Sequence, residues 1–225
     1  MHVTYPRAMS VFGFSKSRMV GPQDALPGRA NPVLPDPAPH AVLGTSLVGP
    51  WPEGTEVIYV AMGCFWGSEE LYWRLPGIVT TSVGYMGGYT PNPTYEEVCT
   101  GRTGQTETVM VAYDPAVIST FDILKAFWEN HDPTQGYRQG NDTGTQYRSA
   151  IYFTNDAQRD LIERTRAAYG DVIRARGYDD ITTEVASADH STYFLAEDYH
   201  QQYLYKNPNG YRCHANTGLA LPALV

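Results

Sequence analysis

The chain has 225 residues, of which 42% are hydrophobic and 12% aromatic, as expected for one packed domain with additional segments. Its 24 acidic and 16 basic residues give a formal net charge of -8, which disfavours nucleic acids and anionic membranes as partners. The sequence shows neither a signal-peptide pattern nor an apolar run long enough to span a membrane, so we expect a cytoplasmic protein.

The first 53 residues differ from the rest because they contain nine of the sixteen prolines. Proline fixes φ and lacks a backbone N–H donor, so this stretch is predicted to be an irregular extension that wraps the domain or hangs loose. Residues 54–205 are predicted to form the main domain. Residues 206–225 are predicted to form a flexible tail that contains Cys213.

The hydrophobic pattern of the main domain alternates between strands and helices. A short apolar run predicts a strand at 57–62, and a helix is predicted from near Cys64 to just before Pro76. The later predicted elements are a strand at 78–85, a short helix at 94–99, a strand at 106–113, a helix at 119–131 capped by Ser119, a strand at 147–153, a helix from an Asn155–Gln158 capping box to Gly177, a strand at 182–187 and helical turns within 194–205.

Strands that alternate with helices of unequal length are typical of an α+β fold. We expect a two-layer sandwich in which helices cover a mixed, largely antiparallel sheet with a ferredoxin-like core. Irregular extensions are expected at both ends of the chain.

The three cysteines are Cys64, Cys99 and Cys213, and no CxxC motif is present. An odd number of widely spaced cysteines indicates neither a disulfide framework nor a metal site. In a reducing compartment they are either core residues or redox groups. Cys99 lies within the predicted short helix and is most simply a packed residue.

Cys64 is predicted to lie where the first strand ends and the first helix begins. Unpaired N–H groups at a helix N-terminus stabilise a thiolate, so the thiol pKa is expected to fall below its usual value of about 8.5. Phe65 and Trp66 beside it suit a pocket for an uncharged group such as a methyl sulfur. The alternative is that all three residues are packed core residues.

Two polar residues share a strand face with apolar neighbours. Glu107 lies on the same face of its predicted strand as Val109 and Val111. A carboxyl in an apolar setting favours its neutral, proton-donating form. Glu107 is therefore a candidate general acid, or else a strand-end glutamate that reaches water. Tyr147 lies on the same face of its predicted strand as Ile151, which is expected to be buried. Its hydroxyl therefore needs either a ligand or a buried protein partner.

Four stretches resemble the peptide methionine sulfoxide reductases of the A type, which reduce the S epimer. They are "GCFWG" at 63–67, "GYMGGYTPNPTYEEVCTGRTGQTE" at 84–107, "FWENHDPTQGYRQGNDTGTQYRS" at 127–149 and "AEDYHQQYLYKNPNGY" at 196–211. "GCFWG" together with "RQGNDTGTQYRS" is highly specific. The similarity covers nearly everything after the extension, so 54–205 would be a catalytic reductase domain.

The resemblance implies a role for each site residue. Cys64 would attack the sulfoxide sulfur, while Phe65 and Trp66 hold the methyl group. Glu107 would protonate the sulfoxide oxygen with help from the hydroxyls of Tyr95 and Tyr147. Asp142 would belong to the surrounding network and contact the substrate backbone. Methionine would leave, and Cys64 would remain as a sulfenic acid.

The resemblance also implies a thiol that resolves the sulfenic acid. We expect no cofactor or metal, and we take a monomer as the default oligomeric state. We expect Cys213 to form a disulfide with Cys64 that thioredoxin reduces; a low-molecular-weight thiol could instead attack directly. Many relatives place this cysteine directly after "GY", whereas here Arg212 intervenes. The substrate would be methionine sulfoxide, either free or in oxidised proteins.

Two other functions are compatible with parts of the sequence. Cys64 could serve an acyl-transfer enzyme with His131 or His200 as its base. Alternatively, Trp66 and the many tyrosines could form a non-catalytic binding groove. Both histidines are otherwise structural or surface residues.

Overall fold

The computed structural model describes residues 16–213 and 215–224. Its strands are β1 (Glu56–Met62), β2 (Ile78–Met86), β3 (Thr106–Tyr113), β4 (Arg138–Gln139), β5 (Asp142–Thr143), β6 (Ser149–Phe153), β7 (Glu184–Ser187) and β8 (Phe194–Leu195). Its α-helices are α1 (Phe65–Trp73), α2 (Tyr95–Cys99), α3 (Thr120–Glu129), α4 (Asp156–Ala175) and α5 (Tyr203–Lys206). Among these described residues, no helix is both long enough and apolar enough to cross a membrane.

A six-stranded sheet organises the fold in the order β7-β6-β1-β3-β2-β8, and β4 pairs separately with β5. Neighbouring strands in the large sheet are antiparallel, except that β6 and β7 are parallel. All eight residues of β3 are buried, as expected for a strand with neighbours on both sides and covered faces. The prediction of a mixed, largely antiparallel sheet with helices packed against it is confirmed.

The main hydrophobic core lies between one face of this sheet and helices α1, α3 and α4. Helix α3 contributes a buried stripe at helical spacing, and its predicted N-cap is confirmed because the Ser119 side chain accepts a hydrogen bond from Asp122 N. At α4, Asn155 accepts from Gln158 N as expected. The Gln158 side chain, however, accepts from Thr154 N, so only half of the predicted capping box forms.

Two predicted elements differ from the structure. The strand expected at 147–153 begins at Ser149, because residues 145–147 form a 3-10 turn in which Tyr147 N donates to Gly144 O. Tyr147 therefore does not share strand parity with Ile151, and the reasoning that singled it out was wrong. The helical turns expected within 194–205 are divided among β8, a 3-10 turn at Asp198–His200 and α5.

The described part of the N-terminal extension lies against the domain. Thr145 N donates to Lys16 O at 2.9 Å, and Leu26 N donates to Arg102 O at 2.9 Å. His40 within the extension is only 1% exposed. Residues 1–15 of the predicted extension lie outside the described residues, and the domain boundaries after residues 53 and 205 remain predictions.

The C-terminal tail has little regular structure but also contacts the domain. Leu221 is 5% exposed and belongs to the main core, and its N–H donates to Glu129 Oε1 at 2.8 Å. Leu221 therefore anchors this part of the tail to α3 and to the main core.

Candidate active site

The chain makes a sharp turn between β1 and α1 that places Cys64 at the helix N-cap. Gly63 adopts φ +90°, a conformation that glycine tolerates and other residues rarely adopt. A Cβ at this position would also lie 2.6 Å from Gln139 Cβ. The glycine thus lets the strand run directly into the helix and presents the thiol at their junction.

A pocket of about 220 Å³ opens beside this thiol. Seven residues predicted to act in the site line it, namely Cys64, Phe65, Trp66, Tyr95, Glu107, Asp142 and Tyr147, together with Tyr211. They come from α1, α2, β3, β5, a 3-10 turn and the tail. The fold therefore brings together side chains that are far apart in sequence.

Glu107 has the environment expected of a carboxylic acid. It is 2% exposed, and burial raises its pKa to about 8, although the hydrogen bond from Phe65 N to Oε2, at 3.0 Å, opposes the increase. The negative charge of Asp142 raises the pKa further. Glu107 therefore carries a proton at neutral pH and can donate it within the pocket.

Cys64 differs from the expectation of a thiol with a lowered pKa. Burial raises the pKa of this thiol well above its usual range, and the charge of an ionised Glu107 raises it further. The backbone N–H groups of Trp66 and Gly67 lower it, as the helix position suggested, but burial has the larger effect. The expected lowering is thus wrong for the free protein, which holds a protonated thiol at neutral pH.

Tyr95 and Tyr147 present hydroxyl groups that remain protonated. Burial raises both pKa values, and the charge of Glu107 adds to the effect on each. Glu197 fixes the start of α2, since Tyr95 N donates to its Oε1 at 2.8 Å. The pocket thus contains three potential proton donors for one ligand oxygen.

The aromatic wall of the pocket depends on residues that the sequence reasoning did not assign to the site. The Trp66 indole N–H donates to His200 Nδ1 at 3.0 Å, and its ring stacks on Tyr203 with centroids 3.8 Å apart. Burial lowers the His200 pKa to about 4, so its imidazole is neutral and can accept this hydrogen bond. Both residues lie in the quoted stretch at 196–211, which was the only sequence signal for them.

Tyr211 is another pocket residue without a predicted role. Its hydroxyl donates to Asp142 Oδ2 at 3.1 Å and ties the tail to β5. Burial raises the Asp142 pKa, while the hydrogen bond from Tyr211 lowers it. The tail therefore forms part of the pocket wall.

Cys213 lies outside this pocket but shares a second cleft with Cys64, of about 300 Å³. The Cys213 thiol contacts Gln139 O at 3.6 Å. All three cysteines are free thiols, and Cys99 is partly buried at the end of α2. Cys64 therefore borders two spaces, one shared with Glu107 and one shared with Cys213.

Neither histidine considered as a base for acyl transfer is placed beside the Cys64 thiol. Both His131 nitrogens have partners, Phe127 O at 2.7 Å and Ser149 Oγ at 2.8 Å. His200 faces the Trp66 indole, and neither histidine lines the Cys64 pocket. The described chain also holds no group of three potential metal-ligating side chains among its His, Cys, Asp and Glu residues.

Comparisons with known proteins agree with the motifs. The family described as peptide methionine sulfoxide reductase matches residues 56–224. "Peptide methionine sulfoxide reductase MsrA" of Salinispora tropica is 57% identical, covering 94% of this chain and 96% of that protein; its namesake from Corynebacterium efficiens is 52% identical, covering 94% and 97%. The structure of methionine sulfoxide reductase A of Corynebacterium diphtheriae has a TM-score of 0.79 and 51% identity, covering 92% of this chain and all of that chain. The chain belongs to the peptide methionine sulfoxide reductase family.

Proposed function

We propose that the protein reduces methionine S-sulfoxide, free or in proteins, to methionine and uses thiols as the source of electrons. The observation that carries this proposal is the pocket in which Cys64 lies beside a protonated Glu107 and two aromatic residues. Family membership supports the same reaction. Neither acyl transfer nor a purely binding role is favoured. The two histidines considered as bases for acyl transfer do not line the pocket, and a purely binding role would need neither its nucleophile nor its acid.

The first step transfers the sulfoxide oxygen to Cys64. Cys64 Sγ attacks the sulfoxide sulfur and forms an S–S bond, while Glu107 protonates the sulfoxide oxygen, assisted by the hydroxyls of Tyr95 and Tyr147. The hydroxyl then moves to Cys64 Sγ as its bond to the substrate sulfur breaks, and the S–S bond breaks with its electron pair remaining on the substrate sulfur. The sulfoxide gains two electrons and leaves as methionine. Cys64 loses two electrons and becomes a sulfenic acid, and the thiol proton returns to Glu107, so the atoms balance.

Phe65 and Trp66 would form the seat for the methyl group of the substrate. Aromatic rings bind a methyl sulfur favourably and exclude water around the developing charge. The bond from Trp66 to His200 and its stacking on Tyr203 keep the indole in one orientation. Asp142 at the pocket rim would contact the backbone of a peptide substrate.

The second step removes the sulfenic acid. Cys213 Sγ attacks Cys64 Sγ, the S–S bond forms, the S–O bond breaks, and water leaves. A thioredoxin-class reductant then returns both cysteines to thiols, and a low-molecular-weight thiol is the alternative reductant. The shared cleft and the free state of both thiols support Cys213 in this role.

The direct test adds one equivalent of methionine S-sulfoxide to the reduced protein. We expect one equivalent of methionine and an intact mass lower by two hydrogens, with a peptide map that links Cys64 to Cys213. Cys64→Ser should form no methionine, and Cys99→Ser should match the native protein. Methionine production by Cys64→Ser, or unchanged thiols in the native protein, would refute the proposal.

The finer description of the fold is also a proposal, namely a two-layer sandwich with a ferredoxin-like core. It is supported by the order β6-β1-β3-β2 and by the helical connections β1-α1-β2 and β3-α3-β6. We further propose a cytoplasmic location, which the three free thiols support.

A further inference from the structure

Arg212 separates the pocket residue Tyr211 from Cys213 and forms an ion pair with Glu70 of α1. We propose that Arg212 is a positioning residue, which holds Cys213 in the cleft where it attacks the oxidised Cys64. The inference rests on the proposed function, since it concerns the second step of that reaction. In many relatives the cysteine directly follows "GY", whereas here Arg212 stands between them. The proposal gives this inserted residue a role.

The contacts of Arg212 are those of a two-point clamp. Its Nε donates to Glu70 Oε2 at 2.7 Å and its Nη2 donates to Glu70 Oε1 at 3.0 Å, the paired geometry that guanidinium and carboxylate groups favour. The hydrogen bond from Arg212 is the largest cause of the lowered pKa of Glu70. Arg212 Nη1 also donates to Pro208 O and Gly210 O. The same side chain therefore connects helix α1 to the first residues of the tail.

Helix α1 links this ion pair to the reacting thiol. Cys64 is the N-cap of α1, and Glu70 lies six residues further along the same helix. Because the helix is a rigid unit, the separation between Cys64 and the Glu70 carboxylate is fixed. Clamping Arg212 to Glu70 therefore fixes the position of the backbone next to Cys213 relative to Cys64.

Cys213 itself has weak contacts with the domain. Its thiol donates to Gln139 O at 3.6 Å, and this hydrogen bond is weak because S–H is a weak donor. Among the described residues 207–213 and 215–224, the tail forms no helix or strand. Two contacts of described residues adjacent to the resolving thiol join the tail to the domain: the Arg212–Glu70 ion pair and the bond from Tyr211 to Asp142.

The chemical step gains from such positioning because it joins two groups of one chain. Cys213 Sγ must reach Cys64 Sγ from the side opposite the departing oxygen. The S–S bond forms as the S–O bond breaks, and the departing hydroxyl group takes the Cys213 thiol proton and leaves as water. A clamp raises the effective concentration of Cys213 near the sulfenic acid. Loosening the clamp should slow this step and leave sulfoxide reduction at the other side of Cys64 unaffected.

The structure provides a matched control in Arg74, the other cation on Glu70. Arg74 Nη2 lies 2.7 Å from Glu70 Oε1, but its side chain is 68% exposed and Arg74 is the C-cap of α1, outside the tail. Arg74→Ala removes one positive charge from the same carboxylate without releasing the tail. Arg212→Ala removes one positive charge and also the ion pair that joins the tail to α1 beside Cys213.

The test follows both steps in a single turnover with one equivalent of methionine S-sulfoxide. Methionine is measured after acid quenching, the sulfenic acid is trapped with dimedone, and the disulfide is counted by mass. For Arg212→Ala we expect methionine at the native rate, but disulfide formation about fivefold slower and correspondingly more trapped sulfenic acid. Arg74→Ala should match the native protein in both steps, and Arg212→Lys, which keeps the charge but not the paired geometry, should be intermediate.

Ionic strength gives a second readout that a loss of folding would not reproduce. Added salt should slow disulfide formation in the native protein and have no such effect in Arg212→Ala, because the ion pair is partly exposed. Native disulfide rates in Arg212→Ala, or an equal slowing in Arg74→Ala, would overturn the inference. Slower methionine formation in Arg212→Ala would also overturn it, whereas absence of methionine in the native protein would instead refute the proposed function.

Discussion

Replacing Glu107 by glutamine should stabilise the protein at high pH while removing most of its activity. Burial raises the pKa of this carboxyl from its ordinary value of 4.5 to about 8. A raised pKa means that folding binds a proton, so the free energy of unfolding falls as pH rises from the unfolded pKa to the folded pKa. Glutamine has the same shape, can still accept the hydrogen bond from Phe65 N, and does not titrate.

The size of the effect follows from the two pKa values. Between about pH 5 and about pH 8, the free energy of unfolding of the wild-type protein should fall by roughly 3 kcal/mol relative to that of the glutamine variant. Glu69 is also buried, with its pKa raised by burial to about 7, but it titrates in both proteins and cancels in the difference. The kcat/KM for methionine S-sulfoxide should fall by about 100- to 10,000-fold, because the proton donor is lost.

Urea unfolding of both proteins across this pH range measures the first effect, and steady-state turnover measures the second. The exposed Glu53→Gln is the matched control for the loss of one surface carboxyl group. A stability difference between Glu107→Gln and wild type that stays constant with pH would refute the neutral, buried carboxyl. Retained activity would refute its role as the acid.

Three further substitutions test the surrounding structure. Gly63→Ala should lower the free energy of unfolding by about 2–4 kcal/mol, measured by urea denaturation, because φ is positive and the new Cβ would contact Gln139. His200→Phe leaves the Trp66 indole N–H without its acceptor and should cost about 1–3 kcal/mol in the same assay and raise KM. Tyr211→Phe removes one hydrogen bond at the pocket rim and should raise KM by about two- to tenfold in steady-state assays, with kcat unchanged.

The corner at Cys64 could be predicted because its signals are local. An apolar run followed by glycine and a polar helical pattern indicates a strand, a turn and a helix, and all three are present. Glu107 was predictable for a similar reason, since strand parity places its side chain among apolar neighbours. In both cases, residues within one or two elements determine the environment.

The contacts that complete the site could not be predicted in this way, because they join distant parts of the chain. The bonds from Tyr211 to Asp142 and from Arg212 to Glu70 span 69 and 142 residues. Tyr147 lines the pocket as predicted, but it does so from a 3-10 turn. The prediction had assumed that it lies on the buried face of a strand. The pKa of Cys64 depends on burial by the assembled fold, so the local helix argument gave the wrong direction.

The same burial that makes Glu107 an acid also keeps Cys64 protonated in the free protein. A thiol reacts slowly with peroxide because the thiolate is the nucleophile, so the resting site is protected from direct oxidation. In the proposed reaction the sulfoxide sulfur, which carries positive charge, would face Cys64, and the sulfoxide oxygen would face the proton of Glu107. A substrate placed in this way would stabilise the thiolate that attacks it.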